Sequence, residues 1–259
     1  MPQILMRPLQ LPTHSTLRFH DLPGAGRPLV FVHGLGCASS CDYPTVARDP
    51  ALLGRRAILV DLLGFGFSDR PNDFSYTIAD HAQSVAELVR CLKLTDFDLF
   101  GHSMGGAVAI ELAASCAEAV HALVLSEPNL DPGGGLFSRA IAAMSEEDYL
   151  RAGHARNLEM AAASGQAIWA GSMQIASALA VHRSAKSLVA GSVPTWRAQL
   201  LALPMPRTVI FGQLSLPDDD FDQFPNARVA VAVVPDAGHS MAWENPSGLA
   251  RAIARACDA

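Results

Sequence analysis

No apolar run in this sequence approaches the roughly 20 residues a helix needs to cross a bilayer. The longest are short stretches such as Val229–Val234. The first residues, Met1-Pro2-Gln3-Ile4-Leu5-Met6-Arg7-Pro8, lack a long apolar core, so no secretory leader is expected. Charge is scarce, at 17% of residues, and acidic in balance: 25 Asp and Glu stand against 19 Lys and Arg, a net charge of −6. That balance excludes nucleic acid or an anionic membrane surface as the main partner. Cysteines number five, an odd count. With no leader, reduced thiols in a cytoplasmic protein are expected. Cys37 and Cys41 fall in one expected loop, as packing or free thiols, with a disulfide or redox pair as the alternative. No ligand cluster at metal spacing, no Walker loop and no glycine fingerprint after the first strand occurs, so neither metal nor nucleotide cofactor is expected. Internal repeats and low-complexity tracts are absent apart from alanine enrichment.

What is there is globular. Hydrophobic residues make up 50% of 259 residues, enough for one large domain or two small ones at about 100–200 residues each. Short β-branched or apolar runs alternate with helix-period segments, which predicts an α/β sheet with crossover helices. Predicted strands are Leu29–Val32, Ala57–Val60, Phe97–Phe100, Ala122–Leu125, Thr208–Phe211 and Val229–Val234, with Thr16–His20 as an antiparallel edge. Their unbroken apolar character suits burial on both faces. Thr77 to Leu92, Met104 to Cys116 and Ser247 to Ala256 read as helices. After Asp131-Pro132-Gly133-Gly134-Gly135, about sixty residues carry helical character and no strand, up to Gly191-Ser192-Val193-Pro194. Within them Ser145-Glu146-Glu147-Asp148 reads as an N-cap with an acidic first turn. The expected organisation is a single domain, 1–259, with a helical lid over approximately 131–195 inserted between two core strands.

Gly101-His102-Ser103-Met104-Gly105 is a complete G-x-S-x-G between a predicted strand and a small-residue helix. In that context it reads as a sharp turn exposing the Ser103 hydroxyl above the sheet at a helix N-terminus. His33-Gly34-Leu35-Gly36 follows the Leu29–Val32 strand. An oxyanion needs aimed backbone N–H groups, and Leu35 and Met104 are the candidate donors, with His33 as a structural brace. The candidate base is His239, in Asp236-Ala237-Gly238-His239-Ser240-Met241 after the last strand, because a serine hydroxyl needs an adjacent imidazole to accept its proton. The remaining histidines, His14, His20, His81, His102, His121, His154 and His182, have contexts that suggest surface, helix or turn roles.

With elbow, His-Gly loop and late Gly-His in this order, the chain resembles the α/β-hydrolase fold superfamily over roughly residues 14 to 258. Asp61-Leu62-Leu63-Gly64-Phe65-Gly66-Phe67-Ser68-Asp69 is similar to that family's D-x-x-G-x-G-x-S turn, which implies a structural role for Asp61. The resemblance implies a mostly parallel, doubly wound sheet and the chain order Ser, acid, His. The family's usual acid follows the strand after the lid, as G-x-x-D. Here the stretch is Gly212-Gln213-Leu214-Ser215, so Ser215 stands at that position, and a serine cannot supply the negative charge that orients an imidazolium. Glu127, in Leu125-Ser126-Glu127-Pro128-Asn129, is the favoured substitute, since some relatives, including a group of haloalkane dehalogenases, carry their acid at that earlier strand end. Asp218, or its neighbours Asp219 and Asp220, is the alternative.

These residues point to a serine hydrolase acting on a small to medium apolar carboxylic ester through Ser103, His239 and Glu127. A serine at the elbow argues against haloalkane dehalogenase and epoxide hydrolase, which resemble this fold but use an aspartate there. Carbon–carbon, lactone and thioester hydrolysis remain open on the same residues, as does a receptor with little turnover. Trp169 and Met173 are candidate pocket lining, and Arg139, Arg151, Arg156 and Arg183 are candidate carboxylate anchors that also suit plain solvation. The expected partner is a small-molecule acyl compound, with no nucleic acid and no membrane.

Overall fold

A computed structural model describes residues 6–258. The leader reading on Met1–Leu5, and both ends of the 1–259 range, lie outside these residues. The apolar runs form β3 (Leu29–Val32), β4 (Ala57–Asp61), β5 (Phe97–His102) and β6 (Val120–Ser126), all buried along most of their length. With β1 (Met6–Gln10), β2 (Thr16–Leu22), β7 (Arg207–Gly212) and β8 (Ala230–Val234) they make one eight-stranded sheet, ordered β1-β2-β4-β3-β5-β6-β7-β8. The β1–β2 and β2–β4 pairs are antiparallel and the rest parallel.

Two strand expectations need correction. The segment from Thr16 is not the edge, because β1 pairs outside it in register from Met6 against His20 to Gln10 against Thr16. β1 lacks an apolar run and carries Pro8, a residue suited to an edge because it donates nothing to a ladder. The Val229–Val234 run is not covered on both faces. β8 is the opposite edge and is largely accessible to solvent.

Alternation along each strand divides the core into two layers. On one side, helices α1 (Ile78–Cys91) and α2 (Met104–Ser115) pack Val85, Leu88, Val108 and Leu112 against Val30, Leu99 and Leu123. On the other, the C-terminal helix, Pro246–Cys257, buries Leu249, Ala250 and Ile253 against Phe100, Val124 and Ile210. Thr77 caps α1, its side chain accepting the Asp80 N–H, and Asn245 caps the C-terminal helix through the Gly248 N–H.

Between β6 and β7 the chain carries helices joined by loops and no strand. It forms α3 (Leu136–Ala142), α4 (His154–Ala163), α5 (Ala167–Gln174), α6 (Ala178–Ala190) and α7 (Trp196–Ala202), leaving Pro246–Cys257 as α8. Ser145 caps the turn leading toward α4, accepting the Asp148 N–H. Leu179, Val181 and Leu188 of α6 are buried in the same cluster as Val85 and Leu88 of α1. The helical stretch runs on past residue 195: Thr195 caps α7 and Trp196 is buried, donating from Nε1 to Glu111 of α2 at 2.7 Å.

Candidate active site

The carboxyl ends of β3, β5, β6 and β7 and the loop after β8 converge around a cavity of about 560 Å³ that exposes Leu35, Ser103, Glu127 and His239. Functional groups gather at this edge of parallel sheets because the loops leaving adjacent strands meet there. Ser103 sits between β5 and α2 with φ of 53° and ψ of −118°. That left-handed backbone persists because its surroundings fix it: the Ser103 N–H donates to Ser126 O at 3.0 Å, and its carbonyl accepts from Gly106 and Asn129. Gly105 is required just behind it. A Cβ there would lie 2.4 Å from the carbonyl oxygens of Val32 and His33, so only glycine lets α2 start so near β3.

The His33 ring holds the neighbouring loop. Nδ1 donates to Gly34 O at 2.8 Å and Nε2 accepts the Leu62 N–H at 3.1 Å, an arrangement that defines one neutral tautomer. Burial pushes its pKa down, against the pull of Asp61 and the Gly34 carbonyl. His33 thus ties the Gly34–Gly36 loop to the Asp61 turn. Asp61 is itself engaged by the backbone N–H groups of Ser40 and Phe67 and by the Ser40 hydroxyl. Leu35 N–H has no backbone acceptor among the described residues. Met104 is the first residue of α2, where an N–H has no partner within the helix. Both sequence candidates for oxyanion donors can therefore donate to a ligand oxygen.

Glu127 follows the last residue of β6 with φ of 40°, a second left-handed residue beside the first. Its N–H donates to Ile210 O at 3.1 Å. Its Oε1 accepts the Gly212 N–H at 2.9 Å, and its Oε2 lies 2.6 Å from His239 Nδ1. Burial alone pushes the Glu127 pKa up. The hydrogen bond and charge of His239, the Gly212 N–H and the Ser215 hydroxyl outweigh it, leaving the pKa at about 2. The carboxylate is held ionised against the imidazole. Asp218 also borders the cavity, but its Oδ1 accepts the Asp220 N–H at 2.8 Å within its own turn, and it is Glu127 that engages His239. Asp220 is paired with Arg197.

Trp169 lines the cavity and donates from Nε1 to Leu35 O at 2.9 Å, bracing the loop that carries a candidate oxyanion donor. Met173 does not line it. The side chain is fully buried against Gly36, with Cγ 2.4 Å from where a Cβ on that glycine would lie. Arg139, Arg151, Arg156 and Arg183 all lie away from the cavity wall. Arg151 pairs with Asp148, and Arg183 with Glu146 and the carbonyls of Asn72 and Phe74. All five cysteines are free thiols, and burial raises the pKa of Cys37 well above its usual value. Among the described residues no three His, Cys, Asp or Glu side chains are grouped as metal ligands, and no helix is long and apolar enough to cross a membrane.

One residue of the site was misread from sequence. His102, grouped with the histidines of surface, helix or turn context, donates from Nε2 to His239 O at 2.9 Å and packs its ring 4.6 Å from the His239 ring. Burial and the neighbouring His239 push its pKa down to about 3, so it stays neutral and keeps that donor fixed. Its place directly before Ser103 was the available signal.

Known proteins agree with this architecture. A 2-hydroxymuconate semialdehyde hydrolase of a Pseudomonas species is 40% identical over 111 residues, a match spanning 41% of this chain and 38% of that protein. A 2-hydroxy-6-oxo-2,4-heptadienoate hydrolase of Pseudomonas putida is 36% identical over 108 residues, again 41% of this chain and 38% of the relative. The match therefore spans well under half the length of either relative. An esterase structure from Exiguobacterium antarcticum superposes with a TM-score of 0.82 over 98% of this chain and 100% of that one, at 20% identity, a likeness of fold. The sequence model of the alpha/beta hydrolase fold matches residues 27–244, and the chain belongs to that family.

Proposed function

We propose that this protein is a serine hydrolase of small to medium apolar carboxylic esters, with Ser103 as nucleophile, His239 as base and Glu127 as the acid. The observation that carries the reading is the 2.6 Å contact of Glu127 Oε2 with His239 Nδ1, on the wall of the cavity that also exposes Ser103. Nδ1 bound to a carboxylate is the protonated nitrogen, so Nε2 is the free base. It takes the Ser103 proton as Oγ attacks the substrate carbonyl carbon. The oxyanion forms against the Leu35 and Met104 N–H groups. His239 then returns the proton to the leaving alcohol, and water, activated by the same imidazole, releases the acid from the acyl-enzyme.

The helices between β6 and β7 act in this reading as a lid. Leu136, Phe137 and Trp169 give the cavity an apolar cover, and the absence of any arginine from its wall favours a neutral acyl group over a carboxylate-bearing one. The protein works, in this reading, as a soluble cytoplasmic enzyme on small molecules.

A second reading, carbon–carbon bond hydrolysis on the same residues, is favoured by the two Pseudomonas relatives named above. A panel of p-nitrophenyl esters of increasing acyl length, with a diketo acid alongside, separates the two. The ester reading expects turnover that peaks at a short or medium chain and is abolished in Ser103→Ala. Turnover of the diketo acid alone supports the second reading. No turnover together with tight ligand binding would mark a receptor.

A further inference from the structure

Beside His239, on the face of the sheet that α8 covers, lies a second cavity of about 280 Å³. His102, His239, Cys37 and Trp169 border both it and the large cavity. Three features of its wall have no use in the hydrolytic steps. Asp42 is only 6% exposed and accepts the Trp243 Nε1–H at 3.0 Å, yet it pairs with no cation among the described residues. The Tyr43 and Ser126 hydroxyls, on residues each 1% exposed, have no hydrogen-bond partner among the described residues. Ser126 lies two residues beyond Val124 and so faces the same side of the sheet, where Val124 packs with Phe100 and Tyr43. The rings of Tyr43, Phe100, Trp169 and Trp243 also line the wall, as does Glu244.

A buried carboxylate without a cation is costly, and so is a buried hydroxyl without a partner. Aromatic faces attract cations. A hydroxyl group brings one donor, whereas a primary ammonium brings three, matching the Asp42 carboxylate, the Tyr43 oxygen and the Ser126 oxygen. An anion would meet Asp42 with like charge. We propose that this second cavity is a substrate subsite for a primary ammonium group, carried on an arm of the ester and seated against Asp42, Tyr43 and Ser126. The assignment of that arm to a substrate rests on the hydrolase reading of Ser103.

Calorimetric titration at pH 8 with n-butylammonium and with 1-butanol tests the site itself, in the wild type and in Ser103→Ala. The expected result is butylammonium binding to both proteins, at least about tenfold tighter than butanol. Asp42→Asn should lose that preference, and Tyr43→Phe should weaken butylammonium. The Tyr43 hydroxyl has no partner in the folded protein, so its removal keeps the test open should Asp42→Asn fail to fold. Butanol binding as well as butylammonium, no butylammonium binding, or unchanged affinity in Tyr43→Phe would each overturn the proposal. Hydrolysis of p-nitrophenyl 6-aminohexanoate against the matching heptanoate then tests the link to catalysis, with the amino ester expected to have the higher kcat/KM. Butylammonium binding with neither ester cleaved overturns the nucleophile reading and, with it, the substrate role, while leaving an ammonium site. Equal cleavage of both esters with no butylammonium binding overturns the subsite alone.

Discussion

Glu127 reaches His239 from the end of β6, with Oε2 2.6 Å from Nδ1, while its Oε1 holds the Gly212 N–H at 2.9 Å from the end of β7. One carboxylate thus bridges two strand ends and the loop after β8. Its backbone φ of 40° aims it there. The Ser215 hydroxyl, at the position where the family's acid is usual, helps hold the same carboxylate ionised.

Replacing this charge while keeping the shape should therefore be severe. Glu127→Gln is expected to lower kcat for a p-nitrophenyl ester by about 10³- to 10⁴-fold, the scale for a triad that loses its acid. Asp218→Asn should stay within a few-fold of wild type, because Asp218 serves its own turn. The reverse pattern in steady-state assays would move the acid to Asp218.

Position 215 supplies a sharper check. Ser215 already neighbours the Glu127 carboxyl, so an aspartate introduced there brings a negative charge toward His239. The double variant Glu127→Gln with Ser215→Asp should recover at least about tenfold of the kcat lost in Glu127→Gln alone. The single variant Ser215→Asp should be less stable than wild type in urea unfolding, because like charges in a partly buried site repel.

His102 is expected to act through His239 and not on substrate. Removing its donor in His102→Phe frees the His239 carbonyl and loosens the imidazole. A hydrogen bond of this kind is worth about 1 kcal/mol, so kcat should fall about fivefold to tenfold. KM should change little. A rise in KM with kcat unchanged would identify His102 as a plain wall of the cavity.

Asp42 gives a pH signature in stability. Burial raises its pKa from 3.8 to about 6, against hydrogen bonds from Trp243 and Cys37. Between those values the folded state keeps a proton that the unfolded chain has released. Stability from this group therefore falls as pH rises from about 4 to 6 and stays lower above that range, by a difference on the order of 3 kcal/mol. Urea unfolding at a series of pH values should show Asp42→Asn gaining stability relative to wild type across this range, on top of the rise that the buried neutral His33, His81 and His102 give both proteins. Parallel profiles would place Asp42 in a solvated, ordinary environment.

Much of this was legible because its causes are local. The glycines around Ser103 and the unbroken apolar runs of β3 to β6 act over a few residues. Glu127 was singled out because position at a strand end, together with a serine at 215, narrowed the acids, and the structure sets its carboxylate against His239. What escaped depends on distant contacts. β1 shows no apolar run because an edge strand need not bury one, and Val229–Val234 is apolar yet half-open because nothing pairs outside it. Trp169 and Met173 lie four residues apart on one helix, yet Trp169 turns to the cavity and Met173 packs on Gly36. His102 meets His239 across 137 residues of chain, and the wall of the second cavity comes from segments that no motif links.

The most direct measurement is intact-mass analysis after reaction with a serine-directed alkyl phosphonate, run beside ester turnover. The account predicts a single adduct on wild type, mapped to Ser103, with turnover lost in proportion to labelling. It also predicts no adduct and no turnover in Ser103→Ala. Labelling or turnover that survives in Ser103→Ala would contradict it.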